Sequence, residues 1–178
     1  LPVYGPPGTR RYVEGLMALW EPELSLRVAH EKRPSTEALK VAVTEIAGGE
    51  TLTLGGVSVE VVEVDHKPVR HAFGFVFRAG GLSLTLSGDT RRCAALIAAA
   101  RGADLLVHEA LQPRLVGALG SALDAHDQRE TAQITRDILD YHATPEQAAE
   151  SAQRAQVRQL VLSHLVPPLP NRFFYPAF

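Results

Sequence analysis

The sequence predicts an α/β fold, in which helices pack against a layered β-sheet. In the segment 82–86, apolar and small polar side chains alternate with the period of two that is typical of a strand with one buried face. Strand and helix signals also follow one another along the chain, separated by glycines. The 178 residues, 46% hydrophobic and 21% charged, are enough to bury one core. We therefore expect a single domain over residues 1–178.

The first part of the chain predicts a strand, a helix and a polar connection. Thr9 is expected to cap a helix that ends near Trp20, because Pro22 follows. The segment 21–38 is polar and interrupted by proline, which indicates a connection. Strands are predicted over residues 1–4, 39–46, 51–54 and 57–64, with glycine pairs at the last two turns.

Strands and helices alternate in the rest of the chain. Strands 72–78 and 82–86 are predicted to form a hairpin across Gly80-Gly81. Thr144, followed by proline and then by Gln147, is a strong signal for the start of a helix that ends near residue 156. The remaining predictions are helices over 90–101, 112–123 and 129–141 and strands over 105–107 and 160–162.

Composition limits the kinds of partner that the chain can have. A formal net charge of −2 gives no general basic field, which weighs against a nucleic-acid partner without excluding a local basic patch. No apolar run reaches the length of a membrane span, so no membrane partner is expected. The single cysteine, Cys93, leaves any metal to be held by histidine and carboxylate, and the chain has seven histidines.

Imidazoles and carboxylates follow four predicted strands. His66, Asp89, the pair His108-Glu109 and His164 each come at the C-terminal side of a strand, although they lie far apart in sequence. Loops at one edge of a sheet are a common place for a functional site. Nitrogen and oxygen ligands without sulfur suit zinc or a similar metal.

Several motifs together resemble the metallo-β-lactamase superfamily, in the branch that contains tRNase Z and arylsulfatase-like hydrolases. The order and spacing of these motifs match over most of the chain. They are the opening LPVYGP at 1–6, VDHKPV at 64–69, AFGFVF at 72–77, LSGDT at 86–90, LVHEA at 106–110, HATPEQA at 142–148 and LSH at 162–164.

The resemblance implies an αββα sandwich with a two-metal site, of which this chain covers roughly the C-terminal part. It implies that His66 binds one metal, that Asp89 bridges the two, and that His164 binds the other. It further implies that His142 donates a proton to the leaving group with the help of Glu109, while Thr144 shapes that loop. Two zinc ions are expected in the complete protein, with manganese or iron as alternatives.

The chain departs from the family pattern in two places. The HxHxDH signature is absent, since no two of the seven histidines lie within two positions of each other. Because that signature precedes the segment that resembles residues 1–5, we expect the domain to be incomplete at its N-terminus. The second departure is the short return at Ala79-Gly-Gly81, where bacterial tRNase Z inserts a long tRNA-gripping arm.

Each site residue also has a simpler interpretation. Asp89 after a glycine could accept hydrogen bonds in a turn, and His66 and His164 could be partly buried, hydrogen-bonded histidines. Glu109 could bond neighbouring loop amides, and His142 could be a cation at the C-terminus of a helix. The joint match of the motifs favours the functional interpretation of His66, Asp89 and His164. A catalytic role is also preferred for His142, whereas both interpretations of Glu109 stay open.

The sequence thus predicts a metal-dependent hydrolase of a small-molecule ester or phosphoester. One alternative is 3′ processing of tRNA, which composition does not favour. Another is a non-enzymatic, truncated domain without a competent metal centre. The aromatic tail after Asn171 could cover the core, line a pocket or join a homodimer interface. The sequence does not determine the location of the protein, although it slightly favours the cytoplasm.

Overall fold

The structure, a computed structural model, describes residues 1–32 and 37–178. The chain forms two compact units, Leu1–Ala47 and Gly48–Phe178. The second unit contains every residue that the sequence predicts for the functional site. Within the described part of the chain, no helix is both long enough and apolar enough to cross a membrane.

The first unit contains a long helix and a two-stranded parallel sheet. Strand β1 is Pro2–Gly5, and it pairs with β2, Ala42–Glu45. Helix α1 spans Thr9–His30. A 3₁₀ turn at Glu37–Leu39 precedes β2, which is shorter than the predicted strand over 39–46.

The predicted end of α1 near Trp20 is wrong, because the helix continues through Pro22. Proline removes one backbone donor, but the next turn is supported by an ion pair between Glu23 and Arg27, 2.7 Å apart at the favourable i,i+4 spacing. Of the predicted connection over 21–38, residues 33–36 lie outside the described part of the chain.

The predicted N-cap of α1 is also wrong. Gly8 occupies the cap position with a φ of 100°, and the Thr9 hydroxyl donates to the carbonyl of Pro6 instead of capping the helix. The free amides of this first turn are bound by Glu45 from β2, whose Oε1 accepts from the N–H groups of Gly8 at 2.8 Å and Arg10 at 3.0 Å. A carboxylate at this end also complements the helix dipole.

The second unit is organised around one six-stranded sheet. Its spatial order is the order of the sequence, antiparallel through the first four strands and parallel through the last two junctions. The strands are β3 Thr51–Leu54, β4 Val57–Val64, β5 Ala72–Ala79, β6 Leu82–Leu86, β7 Leu105–Leu111 and β8 Leu160–Val166. The C-terminal ends of β4, β6, β7 and β8 therefore lie at the same edge of the sheet.

Helices connect the parallel strands, and the first and last of them pack on the sheet. They are α2 Ala94–Ala99, α3 Pro113–Ala125, α4 Arg129–Asp137 and α5 Pro145–Ala155. Leu96 of α2 packs on valines of β4 and β5, and alanines of α5 pack on Leu106 of β7. Small residues in α5 let this helix approach the sheet closely. One face of the sheet is thus covered by α2 over β4 and β5 and by α5 over β7. The chain is thus an α/β protein, as the sequence predicts.

Three predicted boundaries in this unit are wrong in ways that affect the site. Strands β7 and β8 continue beyond residues 107 and 162, so His108-Glu109 and His164 lie within strands rather than after them. Helix α2 begins at Ala94 and not at Thr90. The reason is that the amides of Thr90 and Arg91 are bound by Glu109 and by the carbonyl of Asp65, which holds residues 90–92 in the site instead of a helix.

Candidate active site

Glu109 on β7 is the most completely bound side chain of the site. Its side chain is 2% exposed, and Oε1 accepts from the amides of Thr90 at 3.0 Å and Ala143 at 3.2 Å and from Nδ1 of His142 at 2.9 Å. The other oxygen, Oε2, is buried and has no hydrogen-bond partner. The carboxylate therefore joins the loops that follow β6 and α4, and holds the imidazole of His142 between them.

His142 is held in one orientation by this carboxylate. Its side chain is 9% exposed, and because the Glu109 carboxylate accepts at Nδ1, the neutral imidazole carries its proton there. Burial alone would lower the pKa of His142, but the hydrogen bond and charge of Glu109, with the charge of Asp89, outweigh burial and raise the pKa. The arrangement thus favours the protonated ring, the form that can donate a proton.

Thr144 caps the helix that follows His142. Its hydroxyl accepts from the amide of Gln147 at 3.2 Å, and the Gln147 side chain accepts from the amide of Thr144 at 3.1 Å. This reciprocal capping box is the one predicted from the sequence. Thr144 therefore fixes the point at which the His142 loop enters α5, by bonds to the helix.

His66, directly after β4, lies beside His142. Its ring centroid is 4.9 Å from that of His142 and 5.0 Å from that of Tyr141. Nδ1 lies 3.1 Å from the carbonyl oxygen of Tyr141, which can only accept, so Nδ1 carries the proton. Nε2 is then the unprotonated nitrogen, and a backbone partner of this kind is what metal-binding histidines commonly have.

Asp89 follows a turn that only glycine fits. Gly88 has a φ of 60°, and a Cβ at this position would lie 2.3 Å from the carbonyl oxygen of Phe73. The turn brings the Asp89 carboxylate to the edge of the sheet, where its Oδ2 is 3.4 Å from Nε2 of His164. Both side chains are about half exposed, at 46% and 53%.

A bulge in β8 directs His164 towards Asp89. Glu109 pairs with Ser163 and Ala110 pairs with Leu165, so His164 is the extra residue of the ladder. Its φ is 44°, a left-handed conformation that is uncommon for a residue with a side chain. Bulges of this type often re-aim a side chain next to an active site.

The three predicted metal ligands are not assembled as one set. Among residues 1–32 and 37–178, no group of three or more His, Cys, Asp or Glu side chains is arranged to hold a metal ion. Asp89 and His164 nevertheless fit a shared metal, because two ligand atoms each about 2.1 Å from a tetrahedral ion are about 3.4 Å apart. The ring of His66 lies 4.9 Å from that of His142, whose ring is 5.9 Å from that of His164.

A pocket of about 310 Å³ opens between these side chains. It is mainly apolar, and Asp89, Glu109 and His164 are its ionisable residues. Such a combination of apolar walls and a few polar groups is typical of a site for a small ligand or one end of a larger one. The other lining residues are Phe73, Phe75, Leu86, Ser87, Gly88, Val107 and Ser163.

Sequence reasoning missed the groups that hold the site together. Thr90, completely buried, and Ala143 bind Glu109 through their backbone amides, and Tyr141 binds His66 through its carbonyl. Backbone groups carry no residue-type signal, so no motif could have identified them. Ser87, whose hydroxyl accepts from the amide of Glu109 at 3.0 Å, was visible only as part of the turn.

Structural comparison defines the class of protein. The metallo-β-lactamase fold protein YhfI from Bacillus subtilis superposes with a TM-score of 0.59 at 18% identity, over 93% of this chain and 52% of that protein. Human tRNase Z, short form, superposes with a TM-score of 0.58 at 20% identity, over 92% of this chain and 60% of that protein. At these identities the likeness shows the fold alone, which is that of the metallo-β-lactamase proteins.

The sequence then defines the family. Residues 1–165 match the model of the β-lactamase superfamily domain, and the chain belongs to this family. Ribonuclease Z of Mycolicibacterium gilvum (strain PYR-GCK) is 38% identical over 169 residues, which are 95% of this chain and 55% of that protein. Ribonuclease Z of Mycobacterium tuberculosis (strain ATCC 25618 / H37Rv) is 35% identical over 167 residues, or 94% and 57%. The chain spans just over half the length of these relatives.

Proposed function

We propose that the protein to which this chain belongs is a metal-dependent hydrolase that cleaves a phosphodiester bond in RNA. The observation that carries the proposal is the position of His142. It is bound to the buried Glu109, and its ring lies 4.9 Å from that of His66 and 5.9 Å from that of His164. A proton donor is thus surrounded by the side chains that we propose as metal ligands.

Each proposed residue has a distinct role. Metal would be held by Nε2 of His66, by Asp89 and by His164. This donor set of two imidazoles and a carboxylate suits zinc, with manganese or iron as alternatives. A bound metal of this kind acidifies water and stabilises the charge that develops in hydrolysis. His142 donates a proton to the leaving oxygen, while Glu109 keeps the ring oriented and charged. Thr144 holds the loop that carries His142.

RNA is favoured as the substrate by the relatives at 35–38% identity, which are named ribonuclease Z. This differs from the preference for a small-molecule substrate that composition suggested. The hairpin between β5 and β6 still favours a small phosphoester as the second candidate. Its strands pair up to Ala79 and Leu82, which leaves only Gly80 and Gly81 in the loop and no arm for tRNA.

The test uses the natural full-length protein with three substrates. They are a tRNA precursor with a 3′ trailer, bis(p-nitrophenyl) phosphate as a small diester, and p-nitrophenyl sulfate for the arylsulfatase-like alternative. Cleavage of the precursor at its 3′ end is the expected result. Cleavage of the small diester alone would support the second candidate, and cleavage of neither diester would overturn the proposal.

His142→Ala tests the proton donor, with His126→Ala as the matched control. His126 is an exposed histidine at the end of α3 and has no contact with the site. We expect His142→Ala to lower kcat about 10²- to 10⁴-fold, the usual contribution of general acid catalysis, and His126→Ala to leave it unchanged. Equal activities in the two variants would exclude His142 as the acid.

The non-enzymatic alternative predicts a different metal content. If the full-length protein contains about two metal ions per chain by elemental analysis, the hydrolase proposal is supported; if it contains none, the chain is a domain without a competent centre. We also propose that residues 1–178 belong to one domain of that protein. The homodimer and the cytoplasmic location stay predictions of the sequence.

A further inference from the structure

His108 is completely buried on β7, and the proposed reaction gives it no role. Its side chain lies on the opposite side of the strand from that of its neighbour Glu109, since side chains alternate along a strand. Nδ1 is 2.7 Å from the backbone carbonyl oxygen of Glu109, while Nε2 is buried without a partner. Because a carbonyl only accepts, the ring donates from Nδ1 to Glu109.

The hydrogen bond from the His108 ring to the Glu109 carbonyl takes the place of a ladder bond that β6 does not supply. The pairing of β6 with β7 ends at Leu86 and Val107, and the last regular bond runs from the amide of Ser87 to the carbonyl of Val107 at 2.9 Å. Backbone groups two residues further along a parallel strand face the same neighbour. The amide and carbonyl of Glu109 therefore face the place that β6 would occupy if the chain did not turn away at Gly88.

Side chains fill both vacant positions of this ladder. The amide of Glu109 donates to the hydroxyl of Ser87 at 3.0 Å, and its carbonyl accepts from the ring of His108. Glu109 is thus held through its amide, its carbonyl and Oε1. The third of these anchors is shared with His142, so any rotation of the Glu109 backbone would displace the imidazole as well.

We propose that His108 is a positioning residue, which fixes the backbone of Glu109 and thereby the carboxylate that orients His142. The kinetic part of this inference rests on the proposed hydrolase function, whereas its structural part concerns only the Glu109–His142 hydrogen bond. A shift of about 1 Å in a group that holds a catalytic side chain can lower a rate about a hundredfold. His108 acts through Glu109 and contacts no reacting atom.

Two amide substitutions separate donation at Nδ1 from the mere filling of space. In His108→Asn, the amide nitrogen can occupy the position of Nδ1 and donate to the same carbonyl. In His108→Gln, the longer side chain places its amide near the position of Nε2, away from that carbonyl. Both are polar and uncharged, so they differ mainly in whether the bond to Glu109 can form.

The first readout is the Nδ1–H proton of His142 by NMR at constant pH, which reports the bond to Glu109 without any substrate. The second is kcat and KM of the full-length protein on the substrate that it cleaves. We expect His108→Asn to keep the signal and kcat, and His108→Gln to lose the signal and to lower kcat about tenfold to a hundredfold at unchanged KM.

The outcomes separate this inference from the proposed function. Retention of the signal and of kcat in His108→Gln would overturn the inference, as would loss of both in His108→Asn. If the signals behave as expected in a protein that cleaves none of the substrates, His108 is a positioning residue and the hydrolase proposal fails. Where neither His108 variant folds, NMR of the parent chain identifies the tautomer of His108 directly, and a ring that carries its proton on Nε2 instead of Nδ1 overturns the inference.

Discussion

The two carboxylate–imidazole pairs of the site, Glu109–His142 and Asp89–His164, are built in opposite ways. The first is 2.9 Å long between side chains that are 2% and 9% exposed, and two backbone amides bind the same carboxylate. The second is 3.4 Å long between side chains that are about half exposed. The first pair is part of the core, and the second lies at the surface of the sheet edge.

This difference fits the two roles that we propose for these pairs. A group that moves a proton benefits from a fixed position and a low-dielectric environment, which burial provides. Groups that are to bind a metal must be accessible to it and can be oriented by the metal itself. The comparison predicts that changes in the buried pair affect folding first, whereas changes in the exposed pair affect metal binding first.

Glu109→Ala should have the largest effect. It leaves two backbone amides and the buried imidazole of His142 without their acceptor, and breaking a buried pair of this kind costs about 3–5 kcal/mol. The free energy of unfolding by denaturant measures this loss. The matched control is Glu60→Ala on β4, where the lost partner is an exposed arginine, Arg78, and the expected cost is about 1 kcal/mol or less. Equal losses would show that burial does not distinguish the two carboxylates.

Gly88→Ala should have the next largest effect. Gly88 and Gly80 have nearly the same φ, 60° and 57°, so alanine costs about 1–2 kcal/mol in backbone conformation at either position. Only at Gly88 does the new Cβ meet a backbone atom, 2.3 Å from the carbonyl oxygen of Phe73, whereas Gly80 has open space. We expect Gly88→Ala to lower the thermal midpoint clearly more than Gly80→Ala. Similar midpoints would mean that the turn before Asp89 can move.

Asp89→Ala should change stability little, by roughly 0.5 kcal/mol or less, because the side chain is half exposed and is paired with an exposed imidazole. Metal content should nevertheless fall, as measured by elemental analysis of the full-length protein. The control is Asp124→Ala, a similarly exposed carboxylate paired with Arg136 on the α3–α4 hairpin. A large loss of stability with normal metal content in Asp89→Ala would reverse the comparison.

Asp104→Asn should have the smallest effect, because the Asp104 carboxylate binds a backbone amide but is 27% exposed. The amide of Ser83, 2.8 Å from Oδ2, is the main reason that the pKa of Asp104 lies below its ordinary value of 3.8. A lowered pKa in the folded state gives stability that is present above pH 3.8 and is lost as the pH falls towards the folded-state pKa. In the Asp104→Asn variant, the thermal midpoint should fall slightly less steeply between pH 5 and pH 3 than in the parent chain. An unchanged slope would show that this bond makes no contribution.

Much of the fold could be predicted from the sequence because its signals are local. The capping box at Thr144 and the hairpin across Gly80-Gly81 depend on residues within a few positions of each other, and both are confirmed. Helix α1 could not be bounded in this way. Proline predicts a stop because it removes one helix hydrogen bond, but here the helix continues past Pro22 to His30.

That several candidate residues meet at one sheet edge was predictable from the sequence, whereas the bonds between them were not. His66, Asp89, Glu109 and His164 lie at or near the C-terminal ends of strands, and His142 reaches Glu109 from the turn after α4. Their roles stay proposals. The lengths of β7 and β8 were underestimated because the strands change from apolar residues to His108-Glu109 and His164, which look like loop residues. A buried glutamate is tolerated inside a strand only because three donors bind it, and those donors come from other parts of the chain.

The left-handed backbone of His164 has a practical consequence for engineering this chain. At a φ of 44°, glycine adopts the same conformation without the steric cost that a side chain adds. A library selected only for thermal tolerance would therefore accept glycine at this position and discard the imidazole. To keep the metal ligand that we propose, a stabilised version of the chain has to hold residue 164 constant and carry its stabilising substitutions elsewhere.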